Sequence, residues 1–213
     1  MNRKHIAVLF AALLPFASHA GTRSEVGRDL DQSRQELRTE MARERAGLDN
    51  GNLSLDNSLH FGRQDQHQVA QPVNLPKGEI TPAGDLLVDG KAVAVDAAQR
   101  RQLLDYRAQV IALARKGIDA GERAALLAID ATDVSMFRLI VGGLTGSLER
   151  RVETTVQREI QPTVMEICHS LPQLRDSQQA LATSVPAFRP YATLQSRDAG
   201  DCERDVRNDL AMR

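Results

Sequence analysis

The apolar residues between Ser24 and Leu48 recur at alternating intervals of four and seven in an otherwise charged segment without proline. This eleven-residue repeat gives about 3.67 residues per turn, which keeps a narrow stripe on one side of a straight helix. So thin a stripe buries too little surface to hold a helix by itself. We therefore expect residues 21–49 to form either a marginal helix or a helix docked on a partner. The stripe consists of Val26, Leu30, Leu37, Met41 and Leu48.

Residues 50–76 are polar, rich in Asn, Gln, Ser, Asp and His, and contain two prolines. This composition is typical of a linker, here with a short extended piece over 53–61. His60 and His67 lie in the linker, but no carboxylate or thiol at ligand spacing completes a metal site around them. We expect both histidines to be solvated.

Asp89-Gly90 stands between two apolar runs, at 85–88 and 91–95. The pair is a strong hairpin signal because it tolerates the positive φ angles of a type I′ turn. We expect a small sheet of two or three strands. The sheet must pack on helices, because an isolated hairpin is marginal in water.

Helical periodicity follows the hairpin. Asp96 is placed to cap a helix that ends at Lys116-Gly117, and the acidic start at Asp119 indicates a second helix. Two helices joined by so short a turn form an antiparallel hairpin. A further apolar stripe, mostly at fourfold spacing, covers 148–174, where Pro162 should kink or split the helix.

Residues 134–148 are mostly apolar but include Arg138. The segment is shorter than the roughly 20 residues that a membrane-spanning helix needs. Basic residues do not line its polar side as they do in interfacial helices. We interpret the segment as core packing, and binding to a membrane surface is the less favoured alternative.

The whole pattern predicts a mainly α chain with a small β-hairpin. In this α+β fold, an antiparallel helical hairpin or small bundle packs on the sheet. The predicted segments are a signal peptide (1–20), a charged amphipathic helix (21–49), a polar linker (50–76), a β-hairpin plus helical domain (77–182) and a C-terminal tail with one weak helix (183–213).

The first twenty residues have the three parts of a cleaved secretory signal. Arg3 and Lys4 form the positive region, 6–16 form the apolar run, and small residues precede the bond between Ala20 and Gly21. We expect cleavage between Ala20 and Gly21 and a periplasmic location. The absence of a cysteine directly after this bond argues against lipid attachment.

Cys168 and Cys202 are the two cysteines of the chain. An oxidising compartment favours a structural bond between them over reactive thiols, because no second cysteine stands at redox-motif spacing. Closing a loop of about 34 residues stabilises a fold by about 3–4 kcal/mol in the chain-entropy model. We expect this bond to staple the last helical segment to an otherwise loose tail.

Composition and charge limit the classes of function that the chain can have. A formal net charge of −1 and 3% aromatic residues, with no Trp, argue against a nucleic-acid binder. Asp130 and Asp133 share a helical face, and His169 adjoins Cys168, but no further ligand or nucleophile completes a site. We expect no cofactor, no metal and no enzymatic activity. The alternative is an enzyme that assembles a site from distant residues such as Asp130, Asp133 and His169.

Two stretches of the chain resemble a known family. The first contains Ile80-Thr81-Pro82-Ala83-Gly84-Asp85, Val88-Asp89-Gly90-Lys91 and Asp96-Ala97-Ala98-Gln99-Arg100, followed by Tyr106. It resembles the YggN-like family of exported proteobacterial proteins of unknown function, and 166–181 resembles the family's C-terminal piece more weakly. The resemblance implies a periplasmic setting and supplies no catalytic residues. The family has a longer helical middle and a second cysteine before the β segment, so it does not imply the Cys168–Cys202 bond.

These observations favour a non-enzymatic structural or protein-interaction module. The expected partner is an envelope protein or a second copy of the chain, because the N-terminal helix needs a surface to dock on. A lipid- or membrane-associated envelope protein is the first alternative, and an enzyme without a recognisable motif is the second.

Overall fold

The computed structural model describes residues 23–55, 75–141 and 147–211. This part of the chain is mainly helical and carries one small antiparallel sheet, which confirms the predicted α+β fold. The helices are α1 (Arg23–Asn50), α2 (Ala97–Val141), α3 (Ser147–Ser184) and α4 (Asp198–Ala211), with a 3₁₀ helix at Pro186–Tyr191. The strands are β1 (Leu53–Ser54), β2 (Gly78–Ile80), β3 (Leu86–Val88) and β4 (Lys91–Ala92).

The sheet has four strands in the order β1-β2-β3-β4 rather than the two or three that were expected. The additional strand comes from the predicted linker, where Leu53 pairs with Ile80 of β2. The predicted turn between β3 and β4 is confirmed, because Asp89 and Gly90 have φ angles of 48° and 76°. The polar segment thus supplies an edge strand as well as a connection.

Asp96 caps α2 as predicted. Its Oδ1 accepts hydrogen bonds from the backbone N–H groups of Ala98 and Gln99, both at 2.8 Å. The Gln99 side chain returns a bond by accepting from the N–H of Asp96 at 2.9 Å. This reciprocal capping box satisfies helix-end donors that would otherwise lack partners.

The predicted helix end at Lys116-Gly117 is wrong, because α2 continues without a break to Val141. Gly117 is exposed, and α2 contacts α3 on both sides of it through Lys116–Glu166 at 3.0 Å and Arg123–Thr163 at 2.9 Å. A glycine inside a helix costs about 1 kcal/mol relative to Ala, which packing against a neighbouring helix can outweigh. The antiparallel hairpin is therefore formed by α2 and α3.

We expect Gly117→Ala to raise the free energy of unfolding by about 0.5–1 kcal/mol, because Ala is the better helix former. A Cβ at this position meets no atom within 4 Å. Urea denaturation of the wild type and the variant measures the change. Gly90→Ala is the matched control: its Cβ also has open space, but its φ of 76° should make the substitution destabilising. A loss of stability in Gly117→Ala would contradict the continuous helix.

Pro162 does not split the third helix, which includes both Pro162 and Pro172. Both prolines are exposed. A proline inside a helix removes one backbone hydrogen bond, and the rest of a long helix can remain paired around it.

The main core forms where the sheet, α2, α3 and the 3₁₀ helix meet, and we call this part of the protein the base. Residues 185–194 contribute to it, whereas the sequence analysis placed them in a loose tail. Their buried positions recur every three residues, which matches the period of a 3₁₀ helix rather than that of an α-helix. The core residues are Leu55, Ile80, Leu86, Leu103, Tyr106, Val110, Leu113, Leu174, Leu181, Val185, Phe188, Tyr191 and Leu194.

Gly78 allows the sheet to approach the 3₁₀ helix closely. A Cβ on Gly78 would lie 2.5 Å from two ring carbons of Tyr191. The Tyr191 hydroxyl donates a hydrogen bond to the carbonyl of Pro76 at 2.9 Å, which holds the ring in this place. Only a residue without a side chain leaves room for this contact.

Several predicted features lie outside the described residues. These are the signal peptide with the Ala20–Gly21 bond, His60 and His67 of the linker, and the side chains of 132–154, including that of Asp133. Within the described ranges, no helix is long and apolar enough to cross a membrane.

Candidate functional site

The contact between α1 and α2 is antiparallel and crossed by a ladder of ion pairs. Two arginines of α1 pair with acidic residues of α2, and at one further place the acidic residue is on α1 and the arginine on α2. Arg45 joins two acceptors on α2, with Asp119 Oδ1 at 2.6 Å and Glu122 Oε2 at 2.5 Å from its Nη2. Both acceptors lie inside α2, so the predicted start of a second helix at Asp119 is wrong. The other pairs are Asp49–Arg115 and Arg34–Asp130.

Two arginines of the ladder have a raised pKa. The hydrogen bond to Asp130 raises the pKa of Arg34, and the hydrogen bonds to Glu122 and then Asp119 raise the pKa of Arg45. Asp130 and Asp119 are largely exposed, whereas Glu122 is mostly covered. Exposed pairs of this kind are screened by salt and contribute little singly.

Arg107 anchors the end of α1 and is 9% exposed. Its Nη2 donates to the carbonyl oxygens of Leu48, Asp49 and Gly51 at 3.1, 2.9 and 2.8 Å. The last carbonyls of a helix have no partner within the helix, so one guanidinium satisfies several of them at once. Arg107 is not among the residues predicted from the sequence, although it stands four residues after the buried Leu103 on the apolar face of α2.

The apolar stripe of α1 is half-buried along its described length. The sequence left open a marginal helix or one docked on a partner, and the structure shows α1 docked on α2 of its own chain. The half-buried stripe residues are Leu30, Leu37, Met41 and Leu48.

A shallow open groove of about 340 Å³ runs along α1. It lies open to solvent between polar residues, whereas ligand sites are more often enclosed. The groove therefore gives no support to a small-molecule site. The lining residues are Gln32, Gln35, Glu36, Thr39 and Arg43.

A buried polar bridge ties α2 to the C-terminal segment. Gln178 donates from Nε2 to the Tyr106 hydroxyl at 2.9 Å, and its Oε1 accepts from the N–H of Leu194 at 3.0 Å. Burial raises the pKa of Tyr106, and the bond from Gln178 opposes this only in part. The phenol is therefore neutral and has a structural role. Both the nitrogen and the oxygen of the Gln178 amide have a hydrogen-bond partner, as buried polar groups usually do.

Cys168 and Cys202 form the disulfide between α3 and α4, with their Cα atoms 5.6 Å apart. The pairing agrees with the sequence prediction. Beside it, His169 Nε2 lies 3.5 Å from Glu203 Oε1. His169 is therefore next to an acidic partner on α4, at an exposed position.

Of the residues in the alternative enzyme hypothesis, the two with described side chains, Asp130 and His169, do not come together. Lys116–Glu166 and Arg123–Thr163 fix the register of α2 against α3, which places Asp130 and His169 roughly 25 Å apart along the helices at 1.5 Å per residue. Asp130 instead accepts from Arg34. In the described ranges, no three His, Cys, Asp or Glu side chains are grouped so that they could hold a metal ion.

The part of the α2–α3 hairpin that is farthest from the base, together with the α1 residues beside it, is less buried than the base. We call this part the arm. Beyond Ala120 on α2 and before Cys168 on α3, no described side chain is fully buried. Apolar residues in this part are only half-covered, and we call them the apolar strip of the arm. They include Leu126, Leu127, Ile129, Ile160 and Met165.

No family model, curated protein or solved structure matches the chain. The YggN-like resemblance therefore stays a prediction.

Proposed function

We propose that this chain is an exported, non-enzymatic protein-interaction module whose arm binds a protein partner in the cell envelope. The signal pattern at the N-terminus and the disulfide between α3 and α4 support export. The half-covered apolar strip on the arm is the observation that carries the binding role. An amphipathic helix normally covers such a strip against a neighbour.

A second copy of the chain is the partner to test first. The arm combines half-covered apolar residues with ion pairs beside them such as Arg34–Asp130, and two copies in antiparallel contact would cover each other's apolar residues. Antiparallel helices that pair through apolar strips flanked by charges are a common mode of association.

The test is the mass of the oxidised chain beginning at Gly21, measured by light scattering over a wide concentration range. We expect a dimer that dissociates on dilution, and Leu127→Lys on the arm should abolish it. Leu87→Lys is the matched control, because Leu87 is also half-buried but lies on β3 in the base. Circular dichroism must show that both variants fold.

If the chain is monomeric at every concentration, the same two variants are compared by cross-linking in envelope extract. A stoichiometric envelope partner that is lost with Leu127→Lys and kept with Leu87→Lys supports the proposal. A monomer without such a partner contradicts it.

A membrane surface is the second candidate partner, favoured by the position of one apolar segment. The helical residues 134–141 end α2 at the far end of the arm, about 40 Å along the helix axis from Leu113. Flotation with anionic vesicles tests this candidate. Protein that stays at the bottom of the gradient would exclude a membrane surface as the partner.

A further inference from the structure

The disulfide lies in a small apolar cluster that is separate from the main core. Its buried members are Cys168, Leu171 and Cys202, and the partly buried Val164, Ala199 and Val206 pack against it. None of the described α4 residues belongs to the main core. The attachment of α4 is therefore a local feature of one face of α3.

Besides the bond, the described side-chain contacts that attach α4 to α3 come from one small apolar patch and one polar pair. Ala199 and Val206 pack against the cluster, and Glu203 reaches His169 at 3.5 Å. The pairs Arg204–Asp201 and Arg207–Glu203 lie within α4 and do not attach it to α3. A polar helix of 14 residues is marginal on its own.

The chain just before α4 is fixed independently of the bond. Leu194 is 5% exposed, and its N–H donates to Gln178 in the base. Phe188 and Tyr191 are likewise buried in the main core. Once the base has folded, only the short segment from Leu194 to Cys202 is still free for the disulfide to restrain. The bond then restrains far fewer residues than the sequence separation of 34 between the two cysteines indicates.

We propose that the Cys168–Cys202 bond is a redox-controlled clasp: its reduction releases α4 from α3 and uncovers the cluster, while the base stays folded. A dithiol reductant attacks one sulfur as a thiolate and forms a mixed disulfide, and the other cysteine leaves as a thiol. The second thiol of the reductant then resolves the mixed disulfide. Two electrons and two protons pass to the cysteine pair, and the reductant becomes a disulfide.

The clasp is protected as long as α4 is docked. Cys168 is 0% exposed and Cys202 is 5% exposed, so an attacking thiolate reaches them only when α4 opens. Reduction should therefore be slow in native buffer and should accelerate in mild urea that loosens α4 before the base.

Hydrogen exchange read by mass spectrometry tests the clasp on the full mature chain, before and after treatment with dithiothreitol. We expect exchange across 198–208 to accelerate by at least about tenfold on reduction, and exchange across 103–113 of α2 to stay unchanged. The C168A/C202A variant should match the reduced protein and should not respond to dithiothreitol, because the chain has no other cysteine.

Two results would overturn the clasp. One is an α4 that keeps its protection after both sulfurs have been reduced, as verified by thiol alkylation. The other is a base that loses its protection together with α4, or a C168A/C202A variant that does not fold, because either would make the bond a staple of the whole fold.

Discussion

Phe188→Ala should lower the free energy of unfolding by about 3–5 kcal/mol, the usual loss for a large aromatic residue in a core. Phe188 is 0% exposed and packs edge-to-face on Tyr106, with the ring centroids 5.4 Å apart. It also contacts the ring of Tyr191, at 6.1 Å between centroids. Truncation leaves a cavity between α2 and the 3₁₀ helix, because the surrounding rings relax only in part.

Urea denaturation of the oxidised chain measures this loss. Thr193→Ala is the matched control, since Thr193 is exposed in the same segment and should change stability by less than about 0.5 kcal/mol. A loss below about 1 kcal/mol for Phe188→Ala would mean that residues 185–194 are the loose tail that the sequence indicated.

Arg107→Leu should lower the free energy of unfolding by about 3 kcal/mol, because it removes a buried charged donor to three carbonyls. The carbonyls of Leu48, Asp49 and Gly51 lose their shared donor, so the C-terminal end of α1 should exchange its amide hydrogens faster. Arg107→Lys should recover only part of the loss, because one ammonium does not reproduce the geometry of the guanidinium fork.

The exposed Arg101 on α2 provides the control, and Arg101→Leu should change stability by less than about 0.5 kcal/mol. The effect at Arg107 should also persist in high salt, unlike the exposed ladder of Arg34 and Arg45. An Arg107→Leu variant that loses less than about 1 kcal/mol would show that α1 is held by its stripe and ladder alone.

The fold class followed from patterns that are local in sequence. The Asp89-Gly90 turn requires two residues that accept positive φ, and Asp96 with Gln99 forms a capping box, so both could be predicted. The stripe of α1 likewise gave a helix with nearly the observed bounds. Each of these features depends on residues that are no more than one or two turns apart.

The errors came from features that depend on tertiary contacts. Gly117 has the residue type of a helix end, but contacts with α3 on both sides keep α2 continuous. Phe188 lies between the exposed Pro186 and Pro190, and Tyr191 follows Pro190, a pattern typical of a loop. Only the three-residue spacing of their burial reveals a 3₁₀ helix. Pattern alone does not identify which neighbour covers a residue.

The candidate site was the least predictable part. Arg107 follows Leu103 by four residues on the apolar face of α2, and an arginine in that position is a signal of a buried charge that needs acceptors. Its acceptors are backbone carbonyls at the end of α1, more than fifty residues away. No side-chain pattern at the end of α1 marks those carbonyls.

The intact mass of the protein recovered from the periplasmic fraction, taken without reductant, tests the account most directly. We expect the mass of a chain that begins at Gly21, lower by two hydrogen atoms because Cys168 and Cys202 are joined. Alkylation without reduction should add nothing to it. A chain that still begins at Met1, recovered from the cytoplasm with both thiols open to alkylation, would contradict export and the disulfide together.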